Sequence, residues 1–201
     1  MAFFSDQQVL SAAAAAAGER TDSMTEIKAT ASLNRMQRAV DVVDESGAAV
    51  KTFDVFLSHS SLDKIKVLGI YHLLTSRGYK VYLDSVCDPG LNRTSVTKST
   101  AITLRRRMTQ CRSLFVATSA NTPSSQWVPW ELGFTDGLTG KAAVLPILPA
   151  GTVSFGGLTY FELYPTVQDN PSVAKPDDLT IWDGLTRIGT WGTWISLVRR
   201  Y

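Results

Sequence analysis

Two side chains in the segment Ser125-Gln126-Trp127-Val128-Pro129-Trp130-Glu131-Leu132-Gly133 have the types and the spacing to do chemistry. Trp127 and Glu131 stand four residues apart, so on a helix they share one face and meet side by side. Pro129 fits the first turn of such a helix, where its missing N–H costs nothing. That places the pair at the helix's N-terminal end. A lone carboxylate beside an aromatic wall can steady positive charge as it develops on a substrate. It is not the pair of carboxylates with which glycosidases typically work. The competing role for Glu131 is structural, since a first-turn glutamate complements the helix dipole. Trp127 suits packing as well as ligand contact, and Trp130 suits aromatic packing.

A second group lies upstream. Ser58, His59 and Ser60 follow the apolar run Phe53-Asp54-Val55-Phe56-Leu57, where they can contact a phosphate or a sugar. The alternative is a polar turn, since Ser61 to Asp63 are good N-cap residues for the next helix. His59 between two serines is not a hydrolase triad, because neighbours on a strand point opposite ways and no Gly-x-Ser-x-Gly elbow is present. Asp84 closes a second apolar run and either anchors the following loop or reaches the site. His72 falls on an apolar helical face as a core or boundary residue. Cys87 and Cys111 match no zinc spacing and no disulfide framework, and neither has a histidine close in sequence. No metal site is expected. There is no Rossmann or P-loop glycine motif, which disfavours redox use of a dinucleotide and ATP hydrolysis.

The elements that would position these residues alternate strand and helix from Thr52 onward. Strands are expected at Phe53–Ser58, Tyr79–Asp84, Ser113–Ser119 and Ala142–Leu148. Helices are expected at Asp63–Ser76, Thr94–Gln110 and from Gln126 to Gly137 or Gly140. Short apolar strands between helices imply a parallel sheet covered on both faces, in a flavodoxin-like, doubly wound order. Ligands in such folds sit beyond the carboxyl ends of the strands, here the loops after Leu57, Leu83, Ser119 and Leu148. Beyond Pro149 the pattern weakens: Tyr160–Tyr164 reads as a fifth, edge strand, and Asp178–Leu185 and Trp191–Arg199 as short helices.

Residues 1–50 form a helical N-terminal extension, docked on or loosely tethered to a main domain of residues 51–201. An alanine-rich helix runs to Gly18, and a second runs from Ser23 to Val43 with Ile27, Leu33, Met36, Ala39 and Val43 on its apolar face. Asp44-Glu45-Ser46-Gly47 breaks the pattern. A formal charge of +2 is too small to argue for nucleic acid or an anionic membrane, and Arg105-Arg106-Arg107 reads as a solvated helix face. With no apolar run of the ~18 residues a span needs and no basic leader, the expectation is a cytoplasmic protein.

Four segments carry a resemblance to one family. Phe53 to Lys64 looks like the opening strand and loop of bacterial TIR (Toll/interleukin-1 receptor) domains. Tyr79–Asp84 with Pro89-Gly90 resembles their second strand and the loop after it. Ser119, then Ser125 to Gly133, resembles the serine followed by Trp-x-x-x-Glu, and Val144-Leu145-Pro146-Ile147 resembles the strand that follows. Ser85 to Lys98 departs from the common pattern, with Cys87 and Asp88 before Pro89-Gly90 and then Asn92-Arg93-Thr94.

The resemblance implies a flavodoxin-like TIR fold with a central parallel sheet of four to five strands. It also implies one of two functions. Some TIR domains are adaptors that assemble with one another. Others cleave NAD to nicotinamide and ADP-ribose or a cyclised isomer, and those of Thoeris antiphage systems make a cyclic messenger. In the enzymes the essential glutamate is that of Trp-x-x-x-Glu, here Glu131; Ser58, His59, Ser60, Asp84 and Trp127 are the candidate substrate contacts from their places beside it and at the strand ends. NAD would be substrate, not cofactor. Nicotinamide is already a cationic leaving group, so no acid need protonate it, and one carboxylate can hold the ribose hydroxyls and the oxocarbenium charge. The expectation is an NAD glycohydrolase or ADP-ribosyl cyclase that self-associates and signals to a separate effector. The alternatives are a non-enzymatic TIR interaction module and a nucleoside-processing relative of similar arrangement.

Overall fold

The structure is a computed structural model. It describes residues 2–44, 53–91, 97–119, 121–152, 155, 160–170, 172–175 and 177–198, with the side chains of 37–44 excepted. The expected break at Glu45-Ser46-Gly47, the segment Asn92-Arg93-Thr94 and the helix end at Arg199 lie outside the described residues. So do the side chains of Ala39 and Val43.

The sheet is built around β2 (Phe53–Ser58), β3 (Val81–Tyr82), β4 (Cys111–Thr118), β5 (Ala142–Leu148) and β6 (Thr166–Asp169), all parallel in the order β3-β2-β4-β5-β6. This is the expected α/β arrangement. An antiparallel pair, β7 (Leu179–Asp183) and β8 (Thr186–Thr190), extends it beyond β6. The helices are α3 (Lys64–Ser76), the short α4 (Asp84–Cys87), α5 (Lys98–Thr109) and α6 (Trp127–Thr139), with α7 (Trp191–Ser196) after β8. Residues 179–183 are thus a strand where a helix was expected. The β-branched Thr180 and Ile181 suit a pleated strand, and antiparallel pairing with β6 supplies the partners. Tyr160–Tyr164 is a 3-10 turn, and the strand that follows starts at Thr166.

Side chains alternate across the sheet because successive strand residues face opposite ways. Val55, Leu57, Phe115, Ala117 and Leu145 enter one core with α3. Phe56, Leu114, Val116 and Val144 enter the other with Leu104 and Met108 of α5 and Val128 and Leu132 of α6. A buried network crosses the first core: Arg77 donates to both oxygens of Asp169, Gln8 Nε2 donates to Asp169 at 2.8 Å, and Tyr79 OH donates to Asp178 at 2.6 Å.

The N-terminal residues are built into this body. β1 (Phe4–Ser5) pairs in parallel with β5, Phe4 opposite Ile147, and Ala2 exchanges backbone hydrogen bonds with Asp169. α1 (Asp6–Ala17) opens on a capping box between Ser5 and Gln8. It stops at Gly18, whose φ of 68° is the left-handed conformation glycine adopts without strain. Val9, Ala13 and Phe4 are buried against α3 and the sheet. Contact is close at Gly69: a Cβ there would stand 2.1 Å from the Val9 carbonyl oxygen.

α2 (Glu26–Asp44) buries Ala29, Ser32 and Leu33, with Met36 partly buried. Ile27, expected on that face, is 81% exposed. Six residues from Ile27 to Leu33 turn the helix through well over one and a half turns, which puts the two on different faces.

Candidate active site

Ser58 is the last residue of β2 and is wholly buried. Its hydroxyl donates to Glu131 Oε2 at 2.6 Å. The short distance is that of a hydroxyl bonded to a carboxylate. Ser58 therefore holds the glutamate.

Glu131 is the fifth residue of α6, beyond the first turn, and its relative exposure is 0%. The dipole-capping role thus loses its geometry, since the effect fades after the first turn. α6 begins at Trp127 with Pro129 in its first turn, as the sequence indicates. Its N-cap, Gln126, makes no side-chain cap. Trp127 and Glu131 share the buried face of the helix, together with Val128, Leu132 and Thr135. Trp127 sits edge-on to Trp130 at 5.5 Å, and Trp130 stacks on Phe134 beneath the guanidinium of Arg105.

Between the end of β2 and the start of α6 opens a cleft of about 270 Å³ lined by His59, Ser60, Ser61, Leu62, Ser124, Ser125, Gln126 and Trp127. One wall is the β2–α3 loop and the other is the β4–α6 loop, so the cleft lies beyond the carboxyl ends of β2 and β4. Its volume is just under the ~300–1,000 Å³ usual for small-molecule sites. The lining offers hydroxyls, an amide, an imidazole and an indole. His59, Ser60 and Trp127 reach the cleft, whereas Ser58 and Glu131 are not part of its lining.

The His59 imidazole is fixed on two sides. Nδ1 lies 3.1 Å from the Leu57 carbonyl oxygen, which can only accept, so Nδ1 carries the hydrogen. Nε2 lies 3.7 Å from Asp84 Oδ1, an ion-pair distance once the ring is protonated. Asp84 is the first residue of α4 and also accepts the Ser85 N–H at 2.8 Å, so it anchors the turn and flanks His59. Ser60 is buried and its Oγ accepts the Leu62 N–H at 3.4 Å, which is the polar-turn reading.

Asp63 escaped the sequence reading except as a cap. It occupies the N-cap of α3 but makes no side-chain cap. Its carboxylate crosses instead to the other loop, accepting from Ser119 Oγ at 2.5 Å and Asn121 Nδ2 at 2.8 Å. No signal in the sequence distinguishes that use from capping.

The basic run differs from expectation as well. Arg107 grips both oxygens of Asp88 at 2.7 Å while Tyr82 OH donates to the same carboxylate, so only part of the run is a solvated face. Burial pushes the Cys87 thiol up to about 11 and the Cys111 thiol higher still, so both are neutral and unsuited to nucleophilic attack near pH 7. His72 is half-buried, at the boundary. Among the described residues no cluster of His, Cys, Asp and Glu could hold a metal ion, and no helix is long and apolar enough to cross a membrane.

No protein-family model matches the chain. Over 118 residues it is 48% identical to a probable 3′ cyclic ADP-D-ribose synthase, ThsB′, of Bacillus cereus (strain MSX-D12), a match covering 58% of this chain and 61% of that protein. Over 86 residues it is 29% identical to a putative cyclic ADP-D-ribose synthase, TIR2, of Cytobacillus dafuensis, covering 42% of this chain and 23% of that one. The chain thus spans less than two thirds of the length of these curated relatives. The resemblance read from the four motifs is borne out by them.

Proposed function

We propose that this protein breaks the nicotinamide–ribose bond of NAD and closes the ADP-ribose on itself, with Glu131 as the indispensable carboxylate. The observation that carries this reading is the buried Glu131 carboxylate, oriented by Ser58 at 2.6 Å, with Ser58's neighbour His59 and the same-face Trp127 lining a hydroxyl-rich cleft at the strand ends. The names of the two relatives favour a cyclic product over simple hydrolysis. In this role Glu131 holds the ribose hydroxyls and the positive charge at C1 as nicotinamide leaves with the bonding electron pair. Trp127 walls the pocket, and His59, held by Leu57 and Asp84, faces the sugar with Ser60. The N-terminus of α3 borders the cleft without a side-chain cap from Asp63, which suits the pyrophosphate, whereas at α6 the Ser125 hydroxyl accepts the Val128 N–H at 3.3 Å.

Because Glu131 has no solvent exposure, substrate reaches it only when the packing around it opens. That burial is also the observation favouring the second reading, a non-enzymatic TIR interaction module in which Ser58 and Glu131 merely join β2 to α6. A cytoplasmic location, self-association and a separate effector that responds to the product in antiphage signalling complete the first reading.

Incubation with NAD, following nicotinamide and nucleotide products by chromatography, tests the proposal. Glu131→Gln keeps size and an oxygen for Ser58 and removes the charge. Turnover by the parent chain and its loss in the variant support the enzyme. Equal nicotinamide release from both rules out Glu131.

A further inference from the structure

The two walls of the cleft come from different loops, and one side chain ties them together. The Asp63 carboxylate, in a residue only 7% exposed, accepts from Ser119 Oγ and from Asn121 Nδ2 at 2.8 Å. Asp63 is bonded to its own wall through its N–H, which donates to the Ser60 carbonyl at 3.2 Å. Asn121 is bonded to the opposite wall, its carbonyl accepting Ser124 Oγ at 2.7 Å. The path from Ser60 to Asp63 to Asn121 to Ser124 therefore spans the cleft from lining residue to lining residue. Ser119 Oγ also accepts the Asn121 N–H at 3.0 Å, and the Ser119 N–H donates to Thr122 Oγ1 at 2.7 Å, so the receiving loop is itself braced.

We infer that Asp63 is a positioning residue that sets the width of the cleft and thereby decides whether the sugar cation is captured by its own molecule or by water. The inference rests on the proposed NAD chemistry. Once the C1–N bond breaks and nicotinamide leaves with the electron pair, C1 accepts electrons from one of two oxygens. A hydroxyl of the same ADP-ribose closes the ring and releases its proton, giving the cyclic product. A water molecule attacks and releases a proton, giving linear ADP-ribose. A clamped cleft holds the chain folded and keeps water away from C1. A parted cleft does neither.

The test compares the parent chain with Asp63→Ala, Asp63→Asn and Asn121→Ala, measuring KM for NAD, kcat and the ratio of cyclic to linear product. Asp63→Ala removes both cross-loop bonds; the expected result is a KM raised at least fivefold and a linear fraction raised several-fold. Asparagine can still accept from Asn121 and donate to Ser119, so Asp63→Asn restores most of the parent product ratio, which a purely charge-based role would not allow. Asn121→Ala, which leaves the carboxylate in place, moves both readouts in the same direction by less. It serves as the main variant if Asp63→Ala does not fold.

Unchanged KM and product ratio in a folded Asp63→Ala or Asn121→Ala chain overturn the inference. Parallel assay of the parent chain separates the two failures, since absence of nicotinamide release there rejects the NAD reading itself. In that case amide hydrogen exchange of the 121–126 loop reads the clamp directly. Faster exchange in Asn121→Ala sustains the clamp, and an identical rate removes it.

Discussion

Ser58 and Glu131 lie 73 positions apart in the chain yet meet at 2.6 Å, the end of β2 donating its hydroxyl to the second turn of α6. The carboxylate sits where its serine holds it, and removal of the hydroxyl leaves a buried charge short of one donor. A hydrogen bond to a charged group contributes about 1.5–3 kcal/mol. Ser58→Ala is therefore expected to lower kcat by roughly 10- to 100-fold with a smaller change in KM, measured by steady-state NAD cleavage. An unchanged kcat would show that Glu131 needs no such support.

At Gly69 the close approach of α1 to α3 decides the outcome of a single added methyl. Its Cβ would fall 2.1 Å from the Val9 carbonyl oxygen, a backbone atom that cannot step aside. Gly69→Ala must push α1 off α3, and overpacking of this kind costs about 1–3 kcal/mol. The expected fall in Tm is about 2–4 °C for each kcal/mol in a chain of this size, read by thermal unfolding. No fall would mean that α1 shifts freely.

Arg77 sits between two buried carboxylates, bonded to Asp169 and 3.6 Å from Asp178. Arg77→Ala leaves both buried acids without their cation, with Gln8 still donating to Asp169 and Tyr79 to Asp178, and breaking a buried pair from one side typically costs about 3–5 kcal/mol. Urea unfolding should show that loss in the midpoint. A loss under about 1 kcal/mol, the worth of an exposed pair, would show the cluster to be solvated.

Alkaline pH should weaken the fold. The Cys87 thiol is raised from 9.0 to about 11 and the Tyr71 phenol from 10.0 to about 12, burial being the first cause of each. Tyr79 and Tyr82 shift the same way. The folded chain keeps these groups protonated while the unfolded chain ionises them. Their contribution is thus complete below about pH 9 and is lost as pH climbs through 9 to 12. The urea midpoint should fall over that window. The same raised thiols should make iodoacetamide labelling of Cys87 at pH 7.5 far slower than that of a free cysteine, as followed by mass spectrometry.

Much of the sheet was legible because its signal is local. Residues 53–58, 111–118 and 142–148 are short apolar runs set between helical periods, and a parallel, doubly covered sheet follows from that alternation. Trp127, Pro129 and Glu131 likewise announced the start of α6. What escaped depends on contacts distant in sequence. β7 is a strand because β6 lies beside it, and Asp63 serves Ser119 and Asn121 because the sheet brings two loops together. The burial of Glu131 was equally invisible, since spacing fixes a helix face but not the depth at which that face lies. Ile27 was misplaced by an error of phase, its near-miss in spacing being enough to turn it to solvent.

The pairing of β1 with β5 has a bearing on how the chain comes to be folded as it is made. Phe4 leaves the ribosome early, but its partner Ile147 and the Asp169 that bonds Ala2 are synthesised long afterwards. The alanine face of α1 finds α3 well before that, but the Phe4 ring waits for β5. Closing so long a loop is slow. β1 therefore pairs only after β5 has followed it out of the ribosome, and a nascent chain halted before β5 leaves Phe4 without its strand partner.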